Sequence, residues 1–287
     1  MILLDYNQIV IGNFMMQVGA HTNIALEESM LRHMILNTIR MYRQKFAEEY
    51  GELVICCDSK RYWRKEIFPF YKAGRKKDRQ SSGVDWPTMF QTLDKVRQEL
   101  IEVFPYKTIM VDGAEADDII GIIAQKYNDE PTLILSSDKD FIQLHTYENV
   151  RQYSPAMKKF VRHDNPSVYL KEHILKGDRG DGIPNIFSPD GVFVDGGRQK
   201  PLRKNIISSV THLDIDNVES CELLENEEYK RNWMRNRQLI DLSLIPDDIK
   251  NNIIDVCEHY EVNDRSKLFN YFIQNKLSNL MDSIGEF

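Results

Sequence analysis

Short apolar runs alternate with longer amphipathic stretches over the first 150 residues, and that alternation sets the expected fold. Residues 2–5, Leu53-Val-Ile-Cys-Cys57, Thr108-Ile-Met-Val111 and Thr132-Leu-Ile-Leu135 have the length and flanks of buried strands. Between them, 24–48 predicts a helix with Met34, Ile35, Thr38, Ile39, Tyr42 and Phe46 near one face. Trp86 to Phe104 predicts a second helix with Phe90, Leu93, Val96, Leu100 and Val103 inward, and Glu115 to Tyr127 a third. A short helix is expected from Lys139. Four strand–helix units in a row predict an α/β fold, a parallel sheet covered on both faces. Residues 60–85 interrupt the rhythm. They lack clean periodicity and contain Gly74 and the tip Gln80-Ser-Ser-Gly83, so a mobile segment is expected, least ordered over 73–85. Beyond residue 165 the pattern is helical, with candidates at 167–176, 201–210, 222–239, 246–259 and 266–282. Residues 184–200, with three Gly and two Pro, predict a long loop. The shift in pattern, softly placed near 165–180, divides a core at 1–175 from a helical region at 176–287.

Charge changes this picture in one place. The formal net charge is −7, yet Lys60 to Arg79 holds nine Lys or Arg and only two acids. The acidic balance argues against a surface that coats nucleic acid everywhere but leaves room for a local basic groove. Trp63, Phe68, Phe70 and Tyr71 interleave with these cations, as in segments that hold phosphates and stack on unpaired bases. Arg198, Lys200, Arg203 and Lys204 form a second basic cluster before a predicted helix, suited to duplex phosphates. No apolar run approaches the roughly 20 residues of a membrane span. The start reads as a strand and not as a signal peptide. Cys56, Cys57, Cys221 and Cys257 lack zinc spacing and read as reduced thiols of a cytosolic protein.

Acids gather where the strands end. Asp5, Asp58, Asp112 or the following Glu115 and Asp117, and Asp138 with Asp140 all fall at carboxyl ends of predicted strands. That is the edge where open parallel sheets bind ligands. Any one of them could be a helix cap or first-turn acid. Together they would repel one another unless divalent cations reconciled them. Oxygen donors, with no convergent His or Cys expected, select Mg²⁺, with Mn²⁺ as a substitute. Asp178 and Asp181, in Gly177-Asp-Arg-Gly-Asp-Gly-Ile-Pro184, could complete a second ion, and two such ions suit phosphodiester hydrolysis. His33, His145, His163 and His173 read as structural or surface residues, Trp86 as a packing residue and Trp233 as core. No Gly-rich phosphate loop or GxGxxG occurs.

These motifs carry a resemblance. Leu4-Asp5-Tyr-Asn, Cys57-Asp58, Glu115-Ala-Asp117-Asp118, Ser136-Ser-Asp138-Lys-Asp140-Phe141 and Gly177 to Pro184 stand in the order of the 5′ nuclease (flap endonuclease) family. The resemblance covers nearly the whole chain and is greatest to its phage branch. It implies a PIN-like core, a helical arch over the site at about 60–90, and a C-terminal helical domain with a helix-two-turns-helix element. It implies Mg²⁺-dependent 5′→3′ exonuclease and 5′ flap endonuclease action on RNA·DNA and DNA duplexes, branched, nicked or 5′-ended. The biological role would be removal of RNA primers from lagging-strand fragments in the host cytoplasm, by a monomer. A single-stranded-DNA-binding protein and a sliding clamp are the implied protein partners. By motif, Asp5, Asp58, Glu115, Asp117 and Asp138 would serve a first metal, and Asp140, Asp178 and Asp181 a second, often through water; Asp118 follows the motif. Arg64 and Lys72 would contact the scissile phosphate and Tyr71 would stack on the end base. Lys65, Arg75, Lys76, Lys77 and the cluster Arg198, Lys200, Arg203 and Lys204 would bind nucleic acid. Two departures stand out. Asn185 to Gly197 is longer than the family's compact Gly-Ile-Gly turn, with Gly196-Gly197-Arg198-Gln-Lys200 in its place, which puts the monovalent-ion site there in doubt. The chain also begins almost at its first strand, so an N-terminal clamp-docking peptide is expected to be missing. Among rivals, an aspartyl phosphatase would want an acid at position 7, where Asn7 stands. A PIN-type endoribonuclease would usually be shorter, and a non-enzymatic DNA-structure binder would not need the full set of acids.

Overall fold

The structure is a computed structural model that describes residues 1–18, 27–216 and 221–287. Six strands form one sheet: β1 (Ile2–Asp5), β2 (Leu53–Cys56), β3 (Lys107–Ile109), β4 (Thr132–Leu135), β5 (Val150–Ser154) and β6 (Lys159–Val161). Their spatial order is β3-β2-β1-β4-β5-β6, parallel except for the antiparallel β5–β6 pair. Leu4 is in register with Ile55 on one side and Leu135 on the other. The chain fills one side of β1 first, then crosses to the other at β4. The connections after β1 and β4 therefore diverge, and a crevice opens at the carboxyl ends of these two strands.

The helices are α1 (Tyr6–Val18), α2 (Glu28–Tyr50), α3 (Trp63–Ile67), α4 (Arg75–Ser81), α5 (Trp86–Val103) and α6 (Ala116–Lys126), followed by a 3₁₀ turn at Asp140–Thr146. Then come α7 (Pro166–Lys176), α8 (Lys204–Thr211), α9 (Glu227–Ile240), α10 (Asp247–Glu258), α11 (Leu268–Gln274) and α12 (Ser278–Met281). Strand alternation divides the core. Ile2, Leu4, Ile55, Leu133 and Leu135 face one layer, with α1, α2, α5 and the C-terminal Phe272 and Phe287. Leu3, Val54, Cys56 and Ile134 face the other, with α6, Phe141 and α10. A third apolar cluster joins Phe68 and Tyr71 to α7, Val210 of α8 and Trp233 of α9. Among the described residues no helix is long and apolar enough to cross a membrane.

Four differences from the sequence expectation have physical causes. The stretch after β1 is helical, with Tyr6, Ile9, Val10 and Phe14 buried and Asp5 capping its start by accepting the Gln8 N–H. A polar strand, Val150-Arg-Gln-Tyr-Ser154, joins the sheet and pairs with a sixth, so the sheet is not wholly parallel. Residues 60–85 fold into α3 and α4, anchored on the third cluster through Phe68 and Tyr71. The helix expected over 266–282 breaks at Lys276, whose φ of 54° is left-handed, with Leu277 N–H returning to Phe272 O at 2.9 Å. The expected helix at 24–48 begins at Glu28 in the described chain, and its first positions lie outside the described residues.

Candidate metal centre and nucleic-acid interface

Asp5 ends β1 and is buried beneath a cleft of about 560 Å³ that it lines with Asp58, Asp117 and Asp138. Three of the four carboxylates are held by neutral donors. Ser136 Oγ donates to Asp5 at 3.0 Å, and Gln8 N–H does so at 3.2 Å. Asn7 Nδ2 and Ala116 N–H donate to the two oxygens of Asp58 at 2.7 and 2.8 Å. Asp140 N–H donates to Asp138 at 3.0 Å. Among the described residues no ion pair reaches these four acids. Burial, reinforced by Asp58 and Asp138, pushes the Asp5 carboxyl up to about 7. Asp117 is pushed well above the carboxylate range by burial and by Asp138 and Asp5, and Asp138 is raised mainly by burial. Four acids gathered at one crevice, none of them in an ion pair among the described residues, fit a hard divalent ion.

Asp138 also lines a second, adjoining pocket of about 490 Å³ with Asp140, Tyr169, His173 and Asp178. Burial and the nearby Asp138 push Asp140 up to about 8. His173 lies 3.4 Å from Asp140 through Nδ1 and 3.3 Å from Asp178 through Nε2. Burial works to lower the His173 pKa, but its hydrogen bond to Asp178 and the charge of Asp140 outweigh this and raise it. A histidine thus converges on the acids where none was expected. Its only local signal is a position five residues before Asp178, past a helix end, and that spacing carries no rule.

A different arrangement lies at the base of the 60–85 segment. Arg64 is buried and makes four hydrogen bonds, to Leu239 O at 2.8 Å, to Glu115 at 3.0 Å and to both oxygens of Asp118 at 3.0 and 2.7 Å. Trp63 Nε1 also donates to Asp118, at 3.1 Å, and Asp118 in turn accepts the Glu115 N–H at 2.9 Å. Tyr71 is buried, its hydroxyl donating toward Glu115 at 2.8 Å and lying 2.9 Å from Asp181. Lys72 pairs with Glu115 and stands 3.5 Å from Asp181, which Arg75 also holds. Burial disfavours the Lys72 ammonium, but Asp181 and Glu115 more than restore it and raise its pKa.

Backbone contact locks the two turns together. Lys72, at φ 56°, donates its N–H to Asp181 O at 2.7 Å, and a Cβ on Gly182 would lie 2.7 Å from Phe70 O. Only glycine fits there.

The expected residues therefore separate. Asp5, Asp58, Asp117 and Asp138 come together in the first cleft, and Asp140 and Asp178 in the second pocket. Glu115 and Asp181 are turned to cations of the 60–85 segment. Two positions are corrected. Arg64 is a buried partner of Asp118 with its donors occupied, not a group presented to a phosphate, and the Tyr71 ring is packed in the core, not offered to a base. Lys72 and Arg75 line the first cleft. Lys65, Lys76 and Lys77 are exposed on α3 and α4, and Arg198, Lys200, Arg203 and Lys204 are exposed at the approach to α8. Asp112 lies outside the cleft, paired with Arg61 on the surface. Sequence reasoning passed over Gln8, which lines both pockets, and Arg79, whose guanidinium sits 4.7 Å from the Phe90 ring centre at the cleft wall.

Comparison with known proteins gives concordant matches. Residues 1–173 match the family model described as 5′-3′ exonuclease, N-terminal resolvase-like domain, and residues 165–287 match the one described as T4 RNase H, C terminal. The chain is 36% identical over 295 residues to the ribonuclease H of Enterobacteria phage T4, covering 99% of this chain and 95% of that protein. The bacteriophage T5 flap endonuclease, solved in a pseudo-enzyme-product complex with DNA and metal ions, has the same fold. Its TM-score is 0.62 at 16% identity, over 90% of this chain and 99% of that one. The T5 5′-exonuclease with bound zinc ions superposes with a TM-score of 0.61 at 16% identity, over 91% of this chain and 99% of that one.

Proposed function

This chain belongs to the 5′-3′ exonuclease family of nucleases, which are phosphodiester hydrolases, and from that premise we propose a more specific activity. The protein is a Mg²⁺-dependent 5′→3′ exonuclease and 5′ flap endonuclease that acts on RNA·DNA and DNA duplexes and removes RNA primers during phage DNA replication in the host cytoplasm. The observation that carries this reading is the meeting of Asp5, Asp58, Asp117 and Asp138 at the β1/β4 crevice, none of them in an ion pair among the described residues although Lys72 and Arg75 line the same cleft. Two bound Mg²⁺ ions, for which Mn²⁺ can substitute, would supply Lewis-acid activation of water and of the leaving oxygen.

The remaining work falls to side chains. Asp5, Asp58, Asp117 and Asp138 would hold the first ion, and Asp140 and Asp178 would serve the second. Lys72, at the cleft wall, exchanges Glu115 for the scissile phosphate and offsets charge that grows there during cleavage. Arg75 and Arg79 line the same cleft and position the phosphates on either side of the cut. Lys65, Lys76, Lys77 and the cluster from Arg198 to Lys204 grip the backbone further out, without reading sequence. Arg64 and Tyr71 act as positioning residues that fix Glu115 and the base of the segment.

The test uses 5′-labelled flap DNA and an RNA·DNA duplex with Mg²⁺ and with chelator. Release of short 5′ products from both substrates, only with metal, is the expected result. Metal-independent release, or cutting confined to internal single-stranded RNA, would overturn the reading.

A further inference from the structure

The second pocket holds a donor outside the all-carboxylate pattern. Resting on the metal-dependent reading above, we propose that His173 is itself a metal ligand there, through Nδ1, and that Asp178 is the carboxylate that orients its ring.

The ring's two nitrogens have different surroundings. Nε2 lies 3.3 Å from Asp178 Oδ2, and the other oxygen of Asp178 accepts the Asp181 N–H at 3.1 Å. Asp178 is thus tied on both sides and accepts the Nε2 proton. In the neutral ring that hydrogen bond fixes the tautomer and leaves a lone pair on Nδ1. Nδ1 is sealed from solvent, has no hydrogen-bond partner among the described residues, and lies 3.4 Å from Asp140 Oδ1. A lone pair beside a carboxylate is reconciled by a cation, either a proton or a metal ion.

The spacing suits one. Two donors each about 2.1 Å from one ion lie roughly 3.0 Å apart in octahedral geometry and 3.4 Å apart in tetrahedral geometry. Donor atoms of Asp140, His173 and Asp178 all fall within 4.8 Å of one another. Imidazole bound through one nitrogen while the other donates to a carboxylate is the usual way a histidine ligand is held.

The fold places this ring firmly. Tyr169 lies one turn earlier on α7 and packs against it, with ring centres 5.8 Å apart. The helix then stops at Gly177, whose φ is 66° and where a Cβ would fall 2.3 Å from Ile183 O. That turn brings Asp178 back over the imidazole.

The chemical consequence is unequal pockets. The first offers oxygen donors alone and suits Mg²⁺. The second offers a nitrogen as well, which moves its preference toward Mn²⁺ and Co²⁺.

The test is Mn²⁺ binding to the full chain, followed by pulsed electron paramagnetic resonance. Directly bound imidazole gives a strong ¹⁴N coupling that shifts on ¹⁵N-histidine labelling of the unaltered protein and needs no variant. The expected result is that coupling in the wild type, its loss in His173→Gln, and about a tenfold or greater fall in Mn²⁺ affinity at one of two sites. Mn²⁺ bound without such coupling, or coupling that survives in His173→Gln, would refute the ligand role of His173 while leaving the metal reading intact. A titration showing no bound Mn²⁺ would refute both.

Discussion

The acids of the β1/β4 crevice and the acids at the base of the 60–85 segment are the same residue types, yet they meet opposite fates. Glu115, Asp118 and Asp181 are met by Arg64, Lys72 and Arg75, and their charges are spent within the protein. Asp5, Asp58, Asp117 and Asp138 make no ion pair among the described residues, and burial raises the carboxyl pKa of Asp5, Asp117 and Asp138. A buried carboxylate with a cationic partner is structure. A buried cluster without one is a site awaiting charge from outside.

The comparison is sharpest when one acid is removed from the cleft. Asp138→Asn should lower the cleavage rate on the order of a thousandfold, measured in single turnover on a flap substrate. The metal-free melting temperature should hold or rise, because a repelled carboxylate is gone. Near-normal turnover would show that the cleft acids are ordinary structure after all.

On the other side, Arg64→Ala leaves Asp118 buried without its partner. Urea unfolding should show a loss of about 3–5 kcal/mol. A variant of unchanged stability but poor activity would return Arg64 to the phosphate-binding role its position in the basic segment first suggested.

Lys72 stands between the two regions. Lys72→Ala should slow single-turnover cleavage about a hundredfold, with a smaller effect on melting than Arg64→Ala. A large drop in melting temperature with little kinetic effect would make it structural.

A further expectation concerns pH dependence. Asp5 and Asp140 are raised from near 3.8 to about 7 and about 8. In the metal-free protein their contribution to stability is complete below the unfolded value and is lost as pH rises through the folded ones. The melting temperature without metal should therefore fall between about pH 4 and pH 8. Excess Mg²⁺ should flatten that slope, and so should Asp5→Asn combined with Asp140→Asn. An unchanged slope in the double variant would place the titrating groups elsewhere.

Much of this was legible in the chain. The four strands β1 to β4 were visible because each is a short apolar run with turn formers at its ends, and the helices α5, α6, α7 and α10 because their apolar positions repeat at helical spacing. The crevice acids were legible because each sits at or just beyond a strand's carboxyl end, where a parallel sheet gathers ligands. Strand β5 was hidden by its polarity: Gln152 is buried because its side chain donates to Ser136 O and Asp138 O, partners no local pattern announces. Helix α1 was hidden by an apolar run whose period is blurred by Gly12 and Asn13. Arg64 was misread because a cation inside a basic stretch looks like its neighbours until its partner Leu239, 175 residues away, is known.

The sequence alone determined the layered architecture, the acidic edge and the basic segment above it, since periodicity and residue type act over a few neighbours. Tertiary structure alone decided which acids would find a cation, that His173 would face Asp140, and that the Lys72 and Gly182 turns would lock together. Charge pairing depends on ångström-scale distances between residues far apart in the chain, and only the packed fold fixes those distances.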